Sequence, residues 1–294
     1  MKLGVIGGSG VYDIDGLEQA EWRQVESPWG QPSDALLFGR LQGVEVVFLP
    51  RHGRGHALSP SGINYRANID ALKRVGVTDI LSVSACGSFR EALAPGTFVI
   101  VDQFIDRTIA REKSFFGNGL VAHVSMAKPV CGRLGDMLEK AAAEIGIPHA
   151  RGGTYLAMEG PQFSSLAESN MYRAWGCDVI GMTNMPEAKL AREAEICFAT
   201  VAMVTDYDCW HPHHDDVDVA SVIAVLGSNA RHAGDLVKQI VAQIAGGAEH
   251  GAFCPQGCDR VLDTALITAP EKRDAKRMAM LDAVAGRVLK GSSK

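Results

Sequence analysis

The chain has 294 residues, 47% apolar and 21% charged, an ordinary globular mixture that excludes disorder, collagen-like repeats and a disulfide mini-scaffold. Its 29 Lys and Arg against 34 Asp and Glu give a formal net charge of −5. With no long run of like charge, a nucleic-acid or anionic-membrane footprint is excluded too, so binding an anion needs a local site. The opening MKLGVIGGSG lacks the apolar centre of a signal peptide, and no window approaches the ~18 to 20 apolar residues of a membrane span. A soluble cytoplasmic protein is expected. Seven cysteines, at 86, 131, 177, 197, 209, 254 and 258, are an odd number spread over a long chain, which suits reduced thiols. Cys254 and Cys258 in CPQGC sit close together, but no second such pair accompanies them. A surface loop rather than zinc is expected there, and no metal site elsewhere.

Short apolar runs alternate with helical patterns from end to end, which predicts an α/β fold with a central mixed β-sheet flanked by helices. LGVIGG, EVVFLP, TDILSVSA and TFVIVDQF read as buried strands. Between the second and third lies a helix, with a cap-like start at Ser59-Pro60, apolar Tyr65, Ile69 and Leu72, and a stop at Gly76. A second helix from about Leu134 to Ile145 ends at Gly146 and leads to the strand-like GGTYLAMEG, then to the strand CDVIGM. Pro186 suits the first turn of a helix through EAKLAREAEI, and the strand CFATVAMVTD follows. A long amphipathic helix covers about 219 to 245. The glycine-rich GGAEHGAFCPQGCD separates residues 1–250, the main domain, from a tail of 251–294. Entered through Pro270, that tail carries a helix with Met278, Leu281, Ala285 and Val288 on one face, and docking on the same domain is expected of it.

Ligands of open α/β sheets collect at the loops after strand ends. GGSG after the first strand offers Ser9 and backbone N–H groups; Arg51-His52-Gly53 follows EVVFLP; Ser84-Ala85-Cys86-Gly87-Ser88 follows ILSV; Thr183 precedes the helix at Pro186. Each is individually ordinary, since a Ser or Thr before a helix usually serves as its cap. Together they supply an Arg, hydroxyls and N–H donors, the donor types an oxyanion such as phosphate demands. Thr205-Asp206-Tyr207-Asp208 ends a strand with two carboxylates at i and i+2, on one side if the chain is extended. Repulsion and partial burial would raise the pKa of one, giving a proton donor beside an acceptor, a pair that suits the N7 and N6 edge of adenine. A solvated Asp turn is the competing reading. The following HPHHDD, with His211, His213, His214 and Asp215, reads as an exposed loop rather than a metal site.

The strings VIGGSGVYDIDGLE, FLPRHGRGHALSPSGINYRANIDALK, SVSACGS, MEGPQFSSLAES and IGMTNMPEAKLAREAEICFATVAMVTDYDCW resemble the 5′-methylthioadenosine phosphorylase branch of the trimeric purine nucleoside phosphorylases. The resemblance covers roughly residues 3 to 245 and weakens beyond 250. It implies a single-domain nucleoside phosphorylase fold, a homotrimer, and phosphorolysis of 5′-methylthioadenosine to adenine and 5-methylthioribose 1-phosphate. No cofactor is implied, inorganic phosphate being a co-substrate. The partners are a nucleoside and phosphate, with no nucleic acid and no membrane.

By the same resemblance, Ser9, Arg51, His52, Ser84, Ala85 and Thr183 hold phosphate and Met182 lies under the ribose. Phe163 packs on the purine, with Ser164, Asp206 and Asp208 along its polar edge and Tyr207 among the substrate contacts. His123, Val219 and Val222 surround the 5′ substituent, where a neighbouring subunit completes the wall. Phosphorylases of 6-oxopurines carry Glu in place of Ser164 and Asn in place of Asp206, so this pairing favours adenine. Ser164, Val219 and Val222 are then the specificity positions. A methylthioinosine phosphorylase or a broad purine nucleoside phosphorylase is the alternative.

Overall fold

The computed structural model describes residues 1–8, 10–212, 219–247 and 253–290. In chain order its regular elements are β1 (Leu3–Gly7), β2 (Glu18–Arg23), β3 (Leu36–Leu41), β4 (Val44–Pro50), α1 (Tyr65–Arg74), β5 (Asp79–Ser88), β6 (Phe98–Ile100), β7 (Gln103–Asp106), α2 (Gly132–Glu144), β8 (His149–Arg151), β9 (Thr154–Ala157), α3 (Leu166–Ala174), β10 (Val179–Gly181), α4 (Asn184–Glu193), β11 (Cys197–Asp206), α5 (Val219–Ala245), α6 (Ala275–Met280) and α7 (Gly286–Lys290). This is the expected α/β architecture, with one mixed sheet buried between two helical layers. Among the described residues no helix is long and apolar enough to cross a membrane.

The sheet forks at β5. Along one edge β11 runs parallel to β5 from Asp79 to Gly87. Along the other, β1 pairs only with Asp79–Ser82 and β10 pairs antiparallel with Gly87 and Ser88. Residues 83–86 therefore lack a strand neighbour on that side. Backbone N–H and C=O groups in such a gap must find other partners. The gap opens beside the ends of β1 and β4, which lie parallel to each other.

Several elements depart from the sequence expectations. Ser59 caps only a short 3-10 turn, Pro60–Gly62, while α1 is capped by Asn64, whose side chain accepts from Ala67 N at 3.1 Å. TFVIVDQF divides into β6 and β7, because β6 pairs with β8 and β11 whereas β7 crosses to β9. In α4 Met185 is extended (φ −120°, ψ 133°), so the continuous helix starts at Pro186, whose fixed φ suits a first turn. The tail helix is interrupted into α6 and α7. Leu281 and Ala285 are fully buried and Met278 and Val288 half-buried, all packed in one core cluster with Ile6, Leu49 and Ile69.

Cys254 and Cys258 do not lie on a surface loop. They are 4% and 2% exposed and meet Cys131 and Cys197 in the interior. Proximity in the chain is a poor guide because two of the four thiols come from the start of α2 and of β11. All seven cysteines are unbridged.

Candidate active site

A cavity of about 380 Å³ occupies the fork in the sheet. Its floor is the unpaired stretch of β5, and its walls come from the strand ends and the first turns of α5. Arg51, His52, Ser84, Ala85 and Thr183 gather at one end. Asp206, Asp208 and Phe163 also line it, with Met182, and Val222 contributes from α5.

Arg51, the residue after β4, is 2% exposed and paired bidentately with Glu187 of α4, Nε to Oε2 at 2.9 Å and Nη2 to Oε1 at 3.1 Å. Its other donors reach Val83 O at 2.9 Å and Ser82 Oγ at 2.7 Å, and Ser82 Oγ in turn donates to Glu187 at 2.6 Å. Burial opposes the charge on Arg51, and the Glu187 carboxylate more than compensates, raising its pKa. The guanidinium is thus a brace that joins β5 and α4 at this end of the cavity. His52 gives Nδ1 to Leu58 O at 2.8 Å and stacks on His56 at 4.1 Å. Burial first, with Arg51 adding repulsion, lowers its pKa to about 4. At neutral pH it is uncharged, with Nδ1–H committed to the carbonyl and Nε2 left as an acceptor.

Two hydroxyls at this end are not absorbed by the scaffold. Ser84 Oγ is buried with the Tyr155 hydroxyl beside it but makes no hydrogen bond of good geometry, so a ligand can supply the better partner. Thr183 stands just before the extended Met185 and makes no capping bond through its side chain, so its hydroxyl is available to an anion.

At the opposite end β11 finishes in Asp206. Its Oδ2 accepts from Thr205 Oγ1 at 2.7 Å and its Oδ1 from Asp208 N at 2.8 Å. Asp208 has φ +51°, and the ladder with β5 shifts register between Val204 and Asp206. The chain is therefore turned, not extended, at the second carboxylate. Strand alternation does not bring the pair together; an Asx-type turn does. Burial raises the pKa of both groups. For Asp208 the Ser169 hydroxyl pulls the other way and the charge of Asp206 adds to the rise. Desolvation rather than repulsion leads in each, so both carboxyls hold protons more tightly than usual. Gly87 makes room for this arrangement, since a Cβ there would stand 2.8 Å from Asp206 Oδ1.

Other anticipated residues fall outside the lining. The Tyr207 hydroxyl donates to Glu91 O at 3.1 Å and its ring stacks on His211 at 4.7 Å. His123 is exposed, with its backbone N–H bound to Ala265 O of the tail at 2.9 Å. Ser164 lies next to the cavity, where its hydroxyl lowers the pKa of Asp208 against the effect of burial. Ser9, His213, His214 and Asp215 lie outside the described residues, as does the side chain of Val219.

Two buried charges escape a reading of the sequence. Glu187 follows Pro186 in a first helical turn, where an acid is expected merely to complement the helix dipole; its pairing across 136 positions has no local signal. Arg111 donates to Met182 O at 2.5 Å, Met185 O at 2.7 Å and Glu159 O at 2.7 Å. One guanidinium thereby ties together the loops that carry Met182 and Met158 into the cavity.

The chain as a whole, with its forked mixed sheet, has counterparts among known proteins. The profile described as the phosphorylase superfamily matches residues 2–242. S-methyl-5′-thioadenosine phosphorylase of Cereibacter sphaeroides is 68% identical over 289 residues, 98% of this chain and 99% of that one. Among solved structures, a methylthioadenosine phosphorylase from an antarctic soil metagenomic library superposes with a TM-score of 0.89 at 47% identity, covering 96% and 98% of the two chains. A variant of the adenosine/methylthioadenosine phosphorylase of Schistosoma mansoni in complex with methylthioadenosine gives 0.84 at 38% identity, covering 90% and 98%. With sequence and fold in agreement, the chain belongs to the phosphorylase superfamily.

Proposed function

We propose that the protein phosphorolyses 5′-methylthioadenosine to adenine and 5-methylthioribose 1-phosphate. The observation that carries this is the polarity of the cavity: hydroxyl and N–H donors around Ser84, Ala85 and Thr183 at one end, and a buried Asp206–Asp208 pair at the other. Phosphate held at the first end attacks the anomeric carbon as the N-glycosidic bond breaks. Negative charge beneath the sugar stabilises the oxocarbenium-like state, so positioning and electrostatics supply most of the rate. Asp206 passes its proton to N7, and the bonding pair leaves with the base, giving neutral adenine. Asp208 accepts from the N6 amino group. His52 Nε2 accepts the P–OH of hydrogen phosphate, which suits its neutral state. Met182 contacts the ribose, Phe163 the purine face, and Val222 with Leu226 the apolar 5′ thioether.

This chemistry asks for no organic cofactor or catalytic metal, because phosphate is the nucleophile and an aspartic acid the proton source. The same reading makes the protein a cytoplasmic homotrimer in which a neighbouring copy closes the 5′ pocket around Val219 and brings up His123. It also takes residues 1–250 as the phosphorylase domain and 251–294 as an extension packed on it.

The decisive experiment measures adenine release from methylthioadenosine, adenosine and inosine, with and without phosphate. Turnover should require phosphate and favour methylthioadenosine. An undiminished rate in phosphate-free buffer would make the enzyme a hydrolase, and a preference for inosine would assign it to the 6-oxopurines.

A further inference from the structure

Four of the seven cysteines converge. The Sγ atoms of Cys131, Cys197, Cys254 and Cys258 all lie within 4.8 Å of one another. Cys131 Sγ and Cys254 Sγ are 3.9 Å apart. A disulfide needs about 2.05 Å, whereas a tetrahedron with Zn–S bonds of about 2.3 Å has S···S edges of about 3.8 Å. The separation therefore fits four thiolates around one ion. All four residues are at most 4% exposed.

The local backbone is that of a metal knuckle. Cys254 and Cys258 stand in a C-x3-C segment, within the spacing used by structural zinc sites. Gly257 N closes a turn on Cys254 O at 2.9 Å, and Gly257 itself has φ +70°, which a residue with a Cβ adopts reluctantly. Asp259 Oδ2 accepts from Cys254 N at 2.9 Å and fixes the knuckle from behind. Cys131 is the N-cap of α2 and makes no capping bond through its side chain, so the helix start favours its thiolate. Cys197 opens β11 at the centre of the sheet.

Buried cysteines ordinarily serve as small apolar residues, but packing gives no reason for four sulfurs from three distant segments to turn towards one point. Charge supplies a second argument. A zinc tetrathiolate carries a net charge of −2, and two arginines lie close enough to the cluster to act on its sulfurs. Arg133, ion-paired through Nη2 with the buried Asp79, also sits against Cys131 and Cys197, and Arg192 acts on Cys258. An N–H donor beside a metal-bound thiolate is the usual outer support of such a centre.

We propose that Cys131, Cys197, Cys254 and Cys258 bind one Zn²⁺ as a structural tetrathiolate that fastens the C-terminal tail to the central sheet. All four protein positions around the metal are filled, so the centre has no open site for catalysis. On binding, the thiols still protonated release their protons to solvent and no redox partner is required. The tail so fastened continues to Ala265 and Leu266, which bond and bridge to His123 and Ala122. Metal loss should therefore loosen the tail before the sheet.

The test is metal analysis of the full-length protein purified under reducing conditions without chelators, together with Co²⁺ titration of metal-free wild type. About one zinc per chain is expected. Co²⁺ should produce the thiolate charge-transfer and d–d absorption of a tetrahedral site, and Zn²⁺ should displace it. The double variant Cys254→Ser, Cys258→Ser should lose the zinc and gain proteolytic cleavage in the tail, while Cys177→Ser keeps the metal. Zinc addition to the metal-free protein should raise Tm by roughly 5 °C or more. Iron in place of zinc would overturn the assignment. So would a mass showing disulfides in freshly purified protein, or metal-free wild type that binds neither Zn²⁺ nor Co²⁺.

Discussion

The two ends of the cavity handle charge in opposite ways. At the anion end the one guanidinium is already neutralised by Glu187 and the imidazole of His52 is uncharged, so the donors facing the space are hydroxyls and N–H groups. At the base end two carboxyls are buried with hydroxyls and backbone N–H groups for partners. The first end presents dipoles rather than net charge. The second end has two carboxyls whose pKa burial raises. Preorganised dipoles and a poised acid are two halves of the same electrostatic strategy.

The largest effect should come from the base end. Asp206→Asn keeps the shape but has no proton to pass to N7, so kcat for methylthioadenosine should fall ~10²- to 10⁴-fold. Use of 6-oxopurine nucleosides relative to methylthioadenosine should rise, because the amide can donate to O6. Phosphate KM should stay put. A parallel change in phosphate KM would mean that the two ends do not act separately.

Next comes the brace. Arg51→Ala leaves Glu187 buried without its partner and should destabilise the fold by about 3 to 5 kcal/mol, as removal of one member of a buried pair does. The double variant Arg51→Met, Glu187→Leu should recover most of that stability while phosphate KM remains high. If the double variant binds phosphate normally, Arg51 is only a brace.

A pH series separates the ends by sign. Burial raises the pKa of Asp206 and Asp208 in the folded state, so their contribution to stability is fully present below the unfolded value of about 3.9 and is lost as pH rises through the folded values. His52 behaves in reverse. Its folded pKa of about 4 lies below the unfolded value of about 6.5, so its contribution is present above 6.5 and lost as pH falls through 4. Over the interval from 6.5 to 4, wild-type Tm should decline relative to His52→Gln. Parallel Tm curves for the two proteins would contradict the buried, neutral imidazole.

Apolar runs and helix signals locate β1, β4, β5, β11, α1 and α5, because these elements are buried and their pattern is dictated by the core. β2 is different: Glu18–Arg23 is almost wholly exposed, so EQAEWR carries no burial pattern, and only pairing with β3 makes it a strand. α3 has the capping box of Ser165 and Glu168 in plain view, but only Ser169 and Tyr172 are buried along it, too little for periodicity to show. In the cavity, strand-end loops name Arg51, Ser84 and Thr183 correctly as neighbours. What they omit is long-range: the Glu187 brace, the Arg111 tie and the meeting of four cysteines each join segments far apart in the chain, and pairwise tertiary contacts leave no trace in local composition. The Asp pair shows the converse, since the two residues do face one space but through a turn rather than through strand alternation.

The smallest effect tests the comparison most finely, because it sets two serines of one strand against each other. Ser82 and Ser84 are two apart on β5 and so project to the same side. Ser82 Oγ is engaged by both Arg51 and Glu187, whereas Ser84 Oγ is buried with the Tyr155 hydroxyl beside it and no charged partner. Ser82→Ala removes a hydroxyl from a charged network and should lower stability by about 1.5 to 3 kcal/mol, the range for hydrogen bonds to charged groups. Ser84→Ala removes a hydroxyl whose neighbour in the protein is the uncharged Tyr155 hydroxyl, so Tm of the ligand-free protein should change little. The same change deletes one donor to an anion, and phosphate KM should increase on the order of 10-fold, equivalent to about 1.4 kcal/mol. Thermal unfolding with and without phosphate, alongside phosphate KM, measures both quantities for both variants. A Ser84→Ala protein that is destabilised yet keeps its phosphate KM would show that this hydroxyl belongs to the scaffold, and the anion end would then lose the donor on which its contrast with the acid pair most depends.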